Sequence, residues 1–430
     1  MSNVYQELFK RGFIYQQTDE KAIEKKLTTE NVVFYVGFDP TGSSLHVGHL
    51  LPVMAMRLLQ KAGHTPIVLV GGATGQIGDP SGKSVARNIL SKEEVAYNAE
   101  CLKKQLARFI TMEEGKCHFV NNIDWFGEVK YIDFLRDIGS KFSVNRMLAQ
   151  DSVKSRLENG LSFLEFNYSI LQAYDFYTLN KNLNCTLEMG GQDQWGNMVA
   201  GTELVRKMSD EKREVHCLTI PLLMDSNGQK FGKTAGGKNV WLDTERTSVF
   251  DYYQFWRNCD DAQLRKLLCY FSAISVEEID EILADSANIN RAKEILAFEA
   301  TMLAHGEKAA TEAYLAAGSK FGFADPEGKV KTSSPIAKID LNQAVSAEVP
   351  SVTLAKEVFE GEGIWICKLL LEAGLVKSTS DGRRLVQGGA VSINGEKVTD
   401  VSYSVTLDKV NSADFMLKAS KKAFKEIKIG

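Results

Sequence analysis

The sequence contains no apolar run that approaches the roughly 20 residues needed to cross a membrane as a helix. Its first residues, MSNVYQELFKRGFI, are acidic and polar at positions where a secretory signal peptide would be apolar. We therefore expect a soluble, cytoplasmic protein without a membrane partner. The 430 residues, 44% of them hydrophobic, suffice for two or three domains with packed cores.

Paired cysteines and clustered metal ligands are also missing. The seven cysteines are odd in number, scattered and never spaced as C-x-x-C, which argues against a disulfide framework or a zinc knuckle. We expect reduced, mostly buried thiols. The chain has only six histidines and no H-E-x-x-H pattern, so no protein-bound metal is predicted.

Charge is unevenly distributed along the chain. The net charge is −4, but the part from Val352 onward holds 12 basic and 10 acidic residues, a balance of +2 that leaves −6 for the rest. A basic tail on an acidic body indicates a polyanionic partner.

Short β-branched runs such as NVVFYVGF, TPIVLVGG and CHFVNN alternate with helical stretches in the first half. This rhythm predicts βαβ units and a doubly wound parallel sheet of the Rossmann type. Later segments differ in composition, and apolar spacing of three and four residues indicates helices after the sheet region. We predict a Rossmann-like domain at 1–225, a mobile glycine-rich loop at 226–245, a helical domain at 246–320, a linker at 321–350 and a small α+β domain at 351–430.

His46 and His49 lie where a glycine- and serine-rich loop meets an apolar helix. Three interpretations are open: a metal pair on one helix face, two structural histidines, or a nucleotide site. The third uses the N–H groups of a helix start and of the imidazoles to bind phosphates, while Gly48 lets a flat base approach closely. GDPSGKS (78–84) has the wrong glycine spacing for a P-loop.

Two short motifs carry a family resemblance. HVGH (46–49) resembles the HIGH signature of class I aminoacyl-tRNA synthetases, and KFGKT (230–234) resembles their KMSKS loop. Together with YVGFDPTGSSLHVGHL, GGATGQIGDPSGKS, NYSILQAYDF and GGQDQWGN, they make the sequence similar to the bacterial tyrosyl-tRNA synthetase family along nearly its whole length. The resemblance implies ATP, tyrosine and tRNA(Tyr) as substrates, Mg²⁺ arriving with ATP, no permanently bound cofactor, and a homodimer.

The implied reaction begins with attack of the tyrosine carboxylate on the α-phosphorus of ATP. Because this carboxylate is already ionised at pH 7, no general base is needed, and catalysis must come from alignment and charge stabilisation. Gly232 would permit the sharp backbone that aims two lysines at one anion. By resemblance, the phosphate-binding residues are Thr41, His46, His49, Lys230, Lys233 and Thr234, with Lys83 and Arg87 as weaker candidates.

Tyrosine selection is predicted from FNYSILQAYDF, where Tyr168, Gln172 and Asp175 follow one stripe of a helix. We expect Asp175 and Tyr35 to contact the substrate phenol, although a satisfied polar cluster in the core is the alternative. By resemblance, the ammonium is bound by Asp79, Tyr168 and Gln172, the rest of tyrosine by Gln194, and ATP by Asp39, Gly48, Gly191 and Asp193.

The tail from Val352 resembles an S4-type RNA-binding domain, with a helix pair before a hairpin at INGEKV. Its basic residues could contact an RNA backbone, or could form an ordinary solvated face. The candidates are Lys377, Arg383, Arg384, Lys418, Lys421, Lys422, Lys425 and Lys428.

Three other functions share part of this pattern. A small nucleotidylyltransferase has the H-x-G-H loop but not the second lysine loop or the tail. A non-catalytic RNA-binding relative is disfavoured by the intact histidines and lysines. A tryptophanyl relative is disfavoured by Tyr35, Asp175 and the tail.

Overall fold

A computed structural model describes the chain at 3–81, 90–157, 160–224, 228, 231–233, 237–341, 351–411, 413–420 and 423–430. It divides into two compact units. The first comprises Met1–Lys233, Trp241–Asp243 and Lys266–Phe271, and the second comprises the remainder of the chain. Within the described ranges, no helix combines the length and hydropathy needed to span a bilayer.

The first unit is built around a six-stranded sheet with the order β1-β6-β5-β2-β3-β4. Only the short edge strand β1 is antiparallel to its neighbour, and the other five strands are parallel. With β2 central and the chain winding outward on both sides, this is the predicted doubly wound arrangement. The strands are β1 Gln16–Gln17, β2 Val33–Phe38, β3 Thr65–Val70, β4 His118–Asn121, β5 Leu187–Gly191 and β6 His216–Ile220.

Helices cover the sheet of the first unit. The central strands carry continuous apolar runs because they are buried, as in β3, where Ile67, Val68 and Val70 are 0% exposed. The helices are α1 Val4–Arg11, α2 Glu20–Thr29, α3 Leu50–Lys61, α4 Lys92–Leu106, α5 Ile123–Phe126, α6 Tyr131–Asp137, α7 Val144–Leu148, α8 Asp151–Leu157, α9 Phe163–Phe166, α10 Tyr168–Leu183 and α11 Trp195–Met208.

Local sequence signals fix where several of these helices begin. Ser91 and Glu94 form a capping box at the start of α4, in which each side chain accepts the other's backbone N–H. Helix α10 ends at Asn184, which has a positive φ of 53° and so turns the chain toward β5.

The second unit begins with helices α12 Val249–Arg257, α13 Asp261–Phe271, α14 Val276–Leu283, α15 Ile289–His305 and α16 Glu307–Phe321, of which α13 ends in the first unit. The stretch after α16, whose composition indicated a linker, is held by hydrogen bonds up to Ser334. Glu278 accepts from the Ser333 N–H and hydroxyl, and the Ser334 hydroxyl donates to Glu299 at 2.6 Å. A half-buried carboxylate on α14 and a buried one on α15 thus hold a segment that has few apolar residues.

The C-terminal part of the second unit has a five-stranded sheet with the order β10-β9-β12-β13-β7 and a separate β8–β11 pair. A helix pair precedes a hairpin, as predicted, and the hairpin turns through Asn394 and Gly395, both with positive φ. The elements are β7 Ser351–Leu354, β8 Ile364–Trp365, α17 Ile366–Glu372, α18 Thr379–Gln387, β9 Ser392–Ile393, β10 Glu396–Lys397, β11 Ser404–Val405, β12 Phe415–Ser420 and β13 Ala423–Ile429.

The cysteines behave as the sequence predicts. All seven are free thiols, and all but Cys101 are buried.

Candidate active site

The two histidines form a closed turn in front of α3. A short 3-10 helix spans Val47–His49, and His46 is its N-cap. Nδ1 of His46 accepts the Gly48 N–H at 3.1 Å, and Nδ1 of His49 accepts the His46 N–H at 3.1 Å. These N–H groups are therefore used within the turn, contrary to the expectation that the helix start offers them to phosphate.

The same hydrogen bonds determine what the rings can donate. Because Nδ1 accepts in both rings, a neutral imidazole here carries its proton on Nε2. Burial, and then the nearby charge of Lys233, lower the pKa of His46. The ring centroids are 3.9 Å apart. The turn thus holds two neighbouring rings in the tautomer whose Nε2–H can donate to an anion.

The residues Phe231–Lys233 lie directly against this turn. Gly232 has φ of 106°, and a Cβ added there would come within 2.9 Å of the Gly48 backbone nitrogen. A Cβ on Gly48 would in turn meet the His46 ring at 2.8 Å and the Phe231 carbonyl oxygen at 3.2 Å. Both glycines are thus required by a close contact between two backbone segments.

The remaining predicted phosphate residues divide into two groups. Thr41 is exposed in the turn after β2, where its N–H donates to the Asp39 carbonyl. The other four, Lys83, Arg87, Lys230 and Thr234, lie outside the described residues.

Asp175 lies in a cluster of largely buried polar side chains beside the sheet, which we call the polar pocket. It is 2% exposed, and its two oxygens accept from Asn122 Nδ2 at 3.0 Å and Trp125 Nε1 at 2.8 Å. Burial raises the pKa of Asp175, and these two donors oppose that rise. Asn122 and Trp125 were not predicted as site residues. Their position just after β4 is the available signal, because loops at the carboxyl edge of a parallel sheet bind ligands.

Tyr35 and Gln172 both meet a further buried acid, Glu188. Tyr35 pairs with Glu188 across β2 and β5, and Gln172 Nε2 donates to Glu188 Oε1 at 2.9 Å. Burial raises the pKa of Glu188 to about 7. Glu188 was not predicted as a site residue, because a glutamate within a predicted strand is usually expected to be exposed to solvent.

Tyr168 and Asp39 are joined on the other side of the pocket. The Tyr168 hydroxyl donates to Asp39 Oδ2 at 2.8 Å, and the Thr74 hydroxyl donates to Oδ1 at 2.7 Å. Asn122 bridges Thr74 and Asp175 through Nδ2. One continuous network therefore links Tyr168 and Asp175, predicted to bind tyrosine, with Asp39, which was predicted to support the nucleotide.

Asp79 and Gln194 close the pocket near the end of β5. Gln194 Nε2 donates to Asp79 Oδ2 at 2.6 Å, and the Ser81 N–H donates to Oδ1 at 2.9 Å. Gly191 leaves room for the Asp193 carboxylate, since a Cβ there would lie 2.7 Å from its Oδ1. The strand end thus presents two carboxylates at the edge where such folds bind nucleotides.

The pocket is acidic. Burial, and then the charges of Asp39 and Asp79, raise the pKa of Tyr168. In the described part of the chain, Asp79, Asp175 and Glu188 have no ion-pair partner. Such a pocket favours a ligand that brings its own positive charge, such as an ammonium.

The predicted RNA-binding residues of the tail differ in environment. Lys377, Arg383 and Arg384 are exposed at or beside α18. Lys418 is instead half-buried, with its ammonium 4.3 Å from the centre of the Phe321 ring. Lys421 and Lys422 lie outside the described residues.

Comparison with known proteins gives two matching families. Residues 26–321 match the family described as tRNA synthetases class I (W and Y), and residues 340–427 match the Tyrosine--tRNA ligase SYY-like C-terminal domain. The chain is 44% identical over 431 residues to the Tyrosine--tRNA ligase of Clostridium botulinum (strain Alaska E43 / Type E3), with 100% of both chains covered. It is 43% identical over 428 residues to that of Fusobacterium nucleatum subsp. nucleatum, covering 99% of this chain and 98% of the relative.

A solved structure has the same fold. The C-terminally truncated Aspergillus nidulans mitochondrial tyrosyl-tRNA synthetase superposes with a TM-score of 0.67 at 29% identity, over 75% of this chain and 95% of that one.

The chain therefore belongs to the class I tRNA synthetases of the tryptophan and tyrosine group. Its full-length relatives and its C-terminal match are those of the tyrosine branch, which confirms the prediction of a tyrosine–tRNA ligase and disfavours the tryptophan one.

Proposed function

We propose that the protein joins tyrosine to tRNA(Tyr) at the pocket described above, with the predicted residues in the roles that follow. Tyrosine first reacts with ATP to give tyrosyl-adenylate and pyrophosphate. A ribose hydroxyl at the end of the tRNA then takes the tyrosyl group, and AMP leaves. One site binds all three substrates in turn.

The observation that carries the proposal is that Asp175 and Tyr35 are both buried and close enough that, after burial itself and Glu188, the charge of Asp175 also raises the pKa of Tyr35. Both are buried, Asp175 is fixed by Asn122 and Trp125, and the Tyr35 hydroxyl has no hydrogen-bond partner among the described residues. A buried hydroxyl without a partner is costly unless a ligand satisfies it. The substrate phenol does so, whereas phenylalanine, which lacks the hydroxyl, gives neither the Tyr35 hydroxyl nor Asp175 a hydrogen bond from the ligand.

The ammonium of tyrosine binds on the acidic side of the pocket. Asp79 and the Tyr168 oxygen accept its N–H groups, and the family resemblance adds Gln172 to the residues that bind it. Each keeps a partner within the protein, namely Gln194, Asp39 and Glu188. A ligand cation therefore meets groups that are already oriented, which reduces the reorganisation needed for binding.

The phosphates of ATP bind at the histidine turn. His46 and His49 donate from Nε2, Thr41 from its hydroxyl, and Lys233 from the adjoining loop, with Lys230 and Thr234 assigned by resemblance. These groups stabilise charge on the departing pyrophosphate. Asp193 accepts from the ribose, beside Gly191 and Gly48. Lys83 and Arg87 remain weaker candidates for the pyrophosphate.

Mg²⁺ enters with ATP as part of the substrate. The phosphate-binding residues named above are cationic or neutral and include no carboxylate. The ion is therefore held by phosphate oxygens and water, as is usual for Mg²⁺ bound to nucleotides.

The assembly is a homodimer in the cytoplasm. Half of the sixteen large apolar side chains that are exposed in the described residues lie between 131 and 164, including Ile132 at 70% and Phe163 at 71%. Exposed apolar side chains that are concentrated in one part of a surface mark interaction sites. The family resemblance implies that a second copy of the chain binds there. Sedimentation equilibrium should give twice the mass of one chain, and a monomer at micromolar concentration would refute it.

The three-domain division and its linker remain our proposal. In it, the tail binds tRNA through Lys377, Arg383 and Arg384, with Lys421 and Lys422 as further candidates.

Tyrosine-dependent ATP–pyrophosphate exchange of the Asp175→Asn variant tests the site assignment. The amide cannot accept from the phenol while keeping both of its N–H partners, so we expect kcat/KM for tyrosine to fall by about 100-fold or more. Tyrosine should also lose its advantage over phenylalanine and tryptophan. Asp124→Asn, an exposed acid on the neighbouring α5, is the matched control. Unchanged discrimination in Asp175→Asn would refute the assignment.

A further inference from the structure

Glu188 is a buried acid whose position none of the roles above explains. It lies opposite Tyr35 in the register of the parallel strands β2 and β5, and it is 2% exposed. Residues paired in this way point to the same face of a sheet, so both side chains enter the pocket together. The chain winds in opposite directions from these two strands, which is where such sheets bind ligands.

The two oxygens of Glu188 have different environments. Oε1 accepts from Gln172 Nε2 at 2.9 Å. Oε2 is buried and has no hydrogen-bond partner among the described residues, and the same holds for the Tyr35 hydroxyl. The two side chains nevertheless lie close enough to interact, although their geometry falls short of a regular hydrogen bond. Burial, then the charge of Glu188 and its side-chain contact, raise the pKa of Tyr35, and the same contact opposes the rise in the pKa of Glu188. A hydroxyl and a carboxyl oxygen that are both unsatisfied and close can share one hydrogen bond in either direction.

The surroundings of Glu188 disfavour its charge. Asp175 faces it from α10, the thiols of Cys185 and Cys217 from the flanks of β5, and helix α11 seals it at Gly201. A Cβ on Gly201 would lie 3.2 Å from Oε2. No lysine, arginine or histidine of the described residues forms an ion pair with it. Burial raises the pKa of Glu188 to about 7, so its charge changes within the working range of pH.

We propose that Glu188 is a positioning residue that sets the direction in which the Tyr35 hydroxyl donates, and thereby the selectivity for a phenol. When protonated, Glu188 donates to the Tyr35 oxygen, and Tyr35 donates to the substrate phenol, which donates to Asp175. When ionised, Glu188 accepts the Tyr35 proton. The oxygen of the substrate phenol then faces the lone pairs of the Tyr35 oxygen, and it no longer accepts a hydrogen bond from Tyr35. The inference rests on the proposed placement of tyrosine between Tyr35 and Asp175.

The test is the pH profile of the tyrosine to phenylalanine ratio of kcat/KM in ATP–pyrophosphate exchange, from pH 6 to 9. In the wild-type protein the ratio should fall roughly tenfold as pH rises, mainly through KM for tyrosine, while KM for ATP stays constant. Glu188→Gln should keep the ratio high across the range, because its amide N–H donates to Tyr35 at every pH. Its carbonyl still accepts from Gln172.

Two further variants serve as controls for this experiment. Tyr35→Phe removes the hydroxyl and should give a low ratio that is flat with pH, even if Glu188→Gln fails to fold. Glu203→Gln, on the outer side of α11, should reproduce the wild-type profile. A flat wild-type profile, or a Glu188→Gln or Tyr35→Phe profile as steep as that of the wild type, would overturn the inference. If the Asp175→Asn variant also still discriminates tyrosine from phenylalanine, the site assignment itself is wrong. If that variant loses the discrimination, the site assignment stands and only the proposed role of Glu188 is wrong.

Discussion

Buried acids in this pocket lower the stability of the empty protein. Asp175 and Glu188 lose water on folding, and in the described residues neither gains a cation in return. Asp175 keeps two N–H donors and Glu188 one. If tyrosine binds here as proposed, the site sacrifices stability of the empty protein for discrimination of a hydroxyl from a hydrogen.

Glu188 should make stability depend on pH. Its pKa is about 7 in the folded protein, above the 4.5 of an exposed glutamate, so folding opposes its ionisation. The cost is absent below about pH 4.5, grows as pH rises, and is complete above about pH 7. We expect Glu188→Gln to gain about 2 kcal/mol of stability over wild type at pH 8 compared with pH 5. Urea unfolding followed by tyrosine fluorescence at both pH values measures this, and an equal effect at both would contradict it.

The sequence predicted the site residues that belong to short motifs. It did not predict those that only the fold brings close to Asp175 or Tyr35. His46 and His49 were found because a motif of four residues contains both. Asn122 and Glu188 contact Asp175 or Tyr35 across more than fifty positions of sequence, and neither spacing nor periodicity encodes such distances. The closed hydrogen bonding of the histidine turn was also unforeseen, since it depends on ring orientation.

Two backbone segments meet at the proposed phosphate-binding part of the site. The turn before α3 and the residues Phe231–Lys233 approach so closely that glycine is required on both sides, at Gly48 and Gly232. The sequence predicted a sharp bend at Gly232, and its φ of 106° confirms it. The contact with Gly48 could not be predicted, because 184 positions separate the two residues.

Gly232→Ala tests this contact. A Cβ at φ of 106° is strained and would press on the Gly48 nitrogen, so Lys233 should move away from the histidines. We expect kcat of pyrophosphate exchange to fall by about 10- to 100-fold, with KM for tyrosine little changed. Gly228→Ala is the control, because Gly228 also has positive φ, 72°, but has open space around it. Equal losses in both variants would mean that backbone strain alone accounts for the effect.

The proposed function requires a site for small substrates in the first unit and a surface for tRNA in the second. In the second unit, the C-terminal sheet packs on the helices through Phe424, whose ring lies 4.9 Å from that of Phe321 and 6.0 Å from that of Phe250. Lys320 pairs with Glu426 at the same contact. The sheet is thereby attached to α12 and α16, and the Lys418 ammonium lies over the Phe321 ring at the same contact.

Alanine at Lys377, Arg383 and Arg384 together should weaken tRNA binding without affecting tyrosine activation. Each lost phosphate contact reduces the slope of log affinity against log salt by about 0.7 to 0.9, so the three together should reduce it by about 2. Filter binding from 50 to 200 mM salt, about the range where such slopes are measured, gives the value. Alanine at Lys21, Lys25 and Lys61, three exposed lysines of α2 and α3, is the matched control. A slope unchanged by the first set would refute the RNA-binding assignment.

The most direct test of the account concerns the charges that receive pyrophosphate. The single-turnover rate of tyrosyl-adenylate formation, measured with saturating tyrosine and ATP in a His49→Ala/Lys233→Ala variant, isolates the chemical step. Because removing one such donor costs about 10² to 10³ in rate, we predict a loss of at least about 10³-fold. A rate equal to that of the wild-type protein would contradict the claim that imidazole and ammonium groups drive the reaction without a general base.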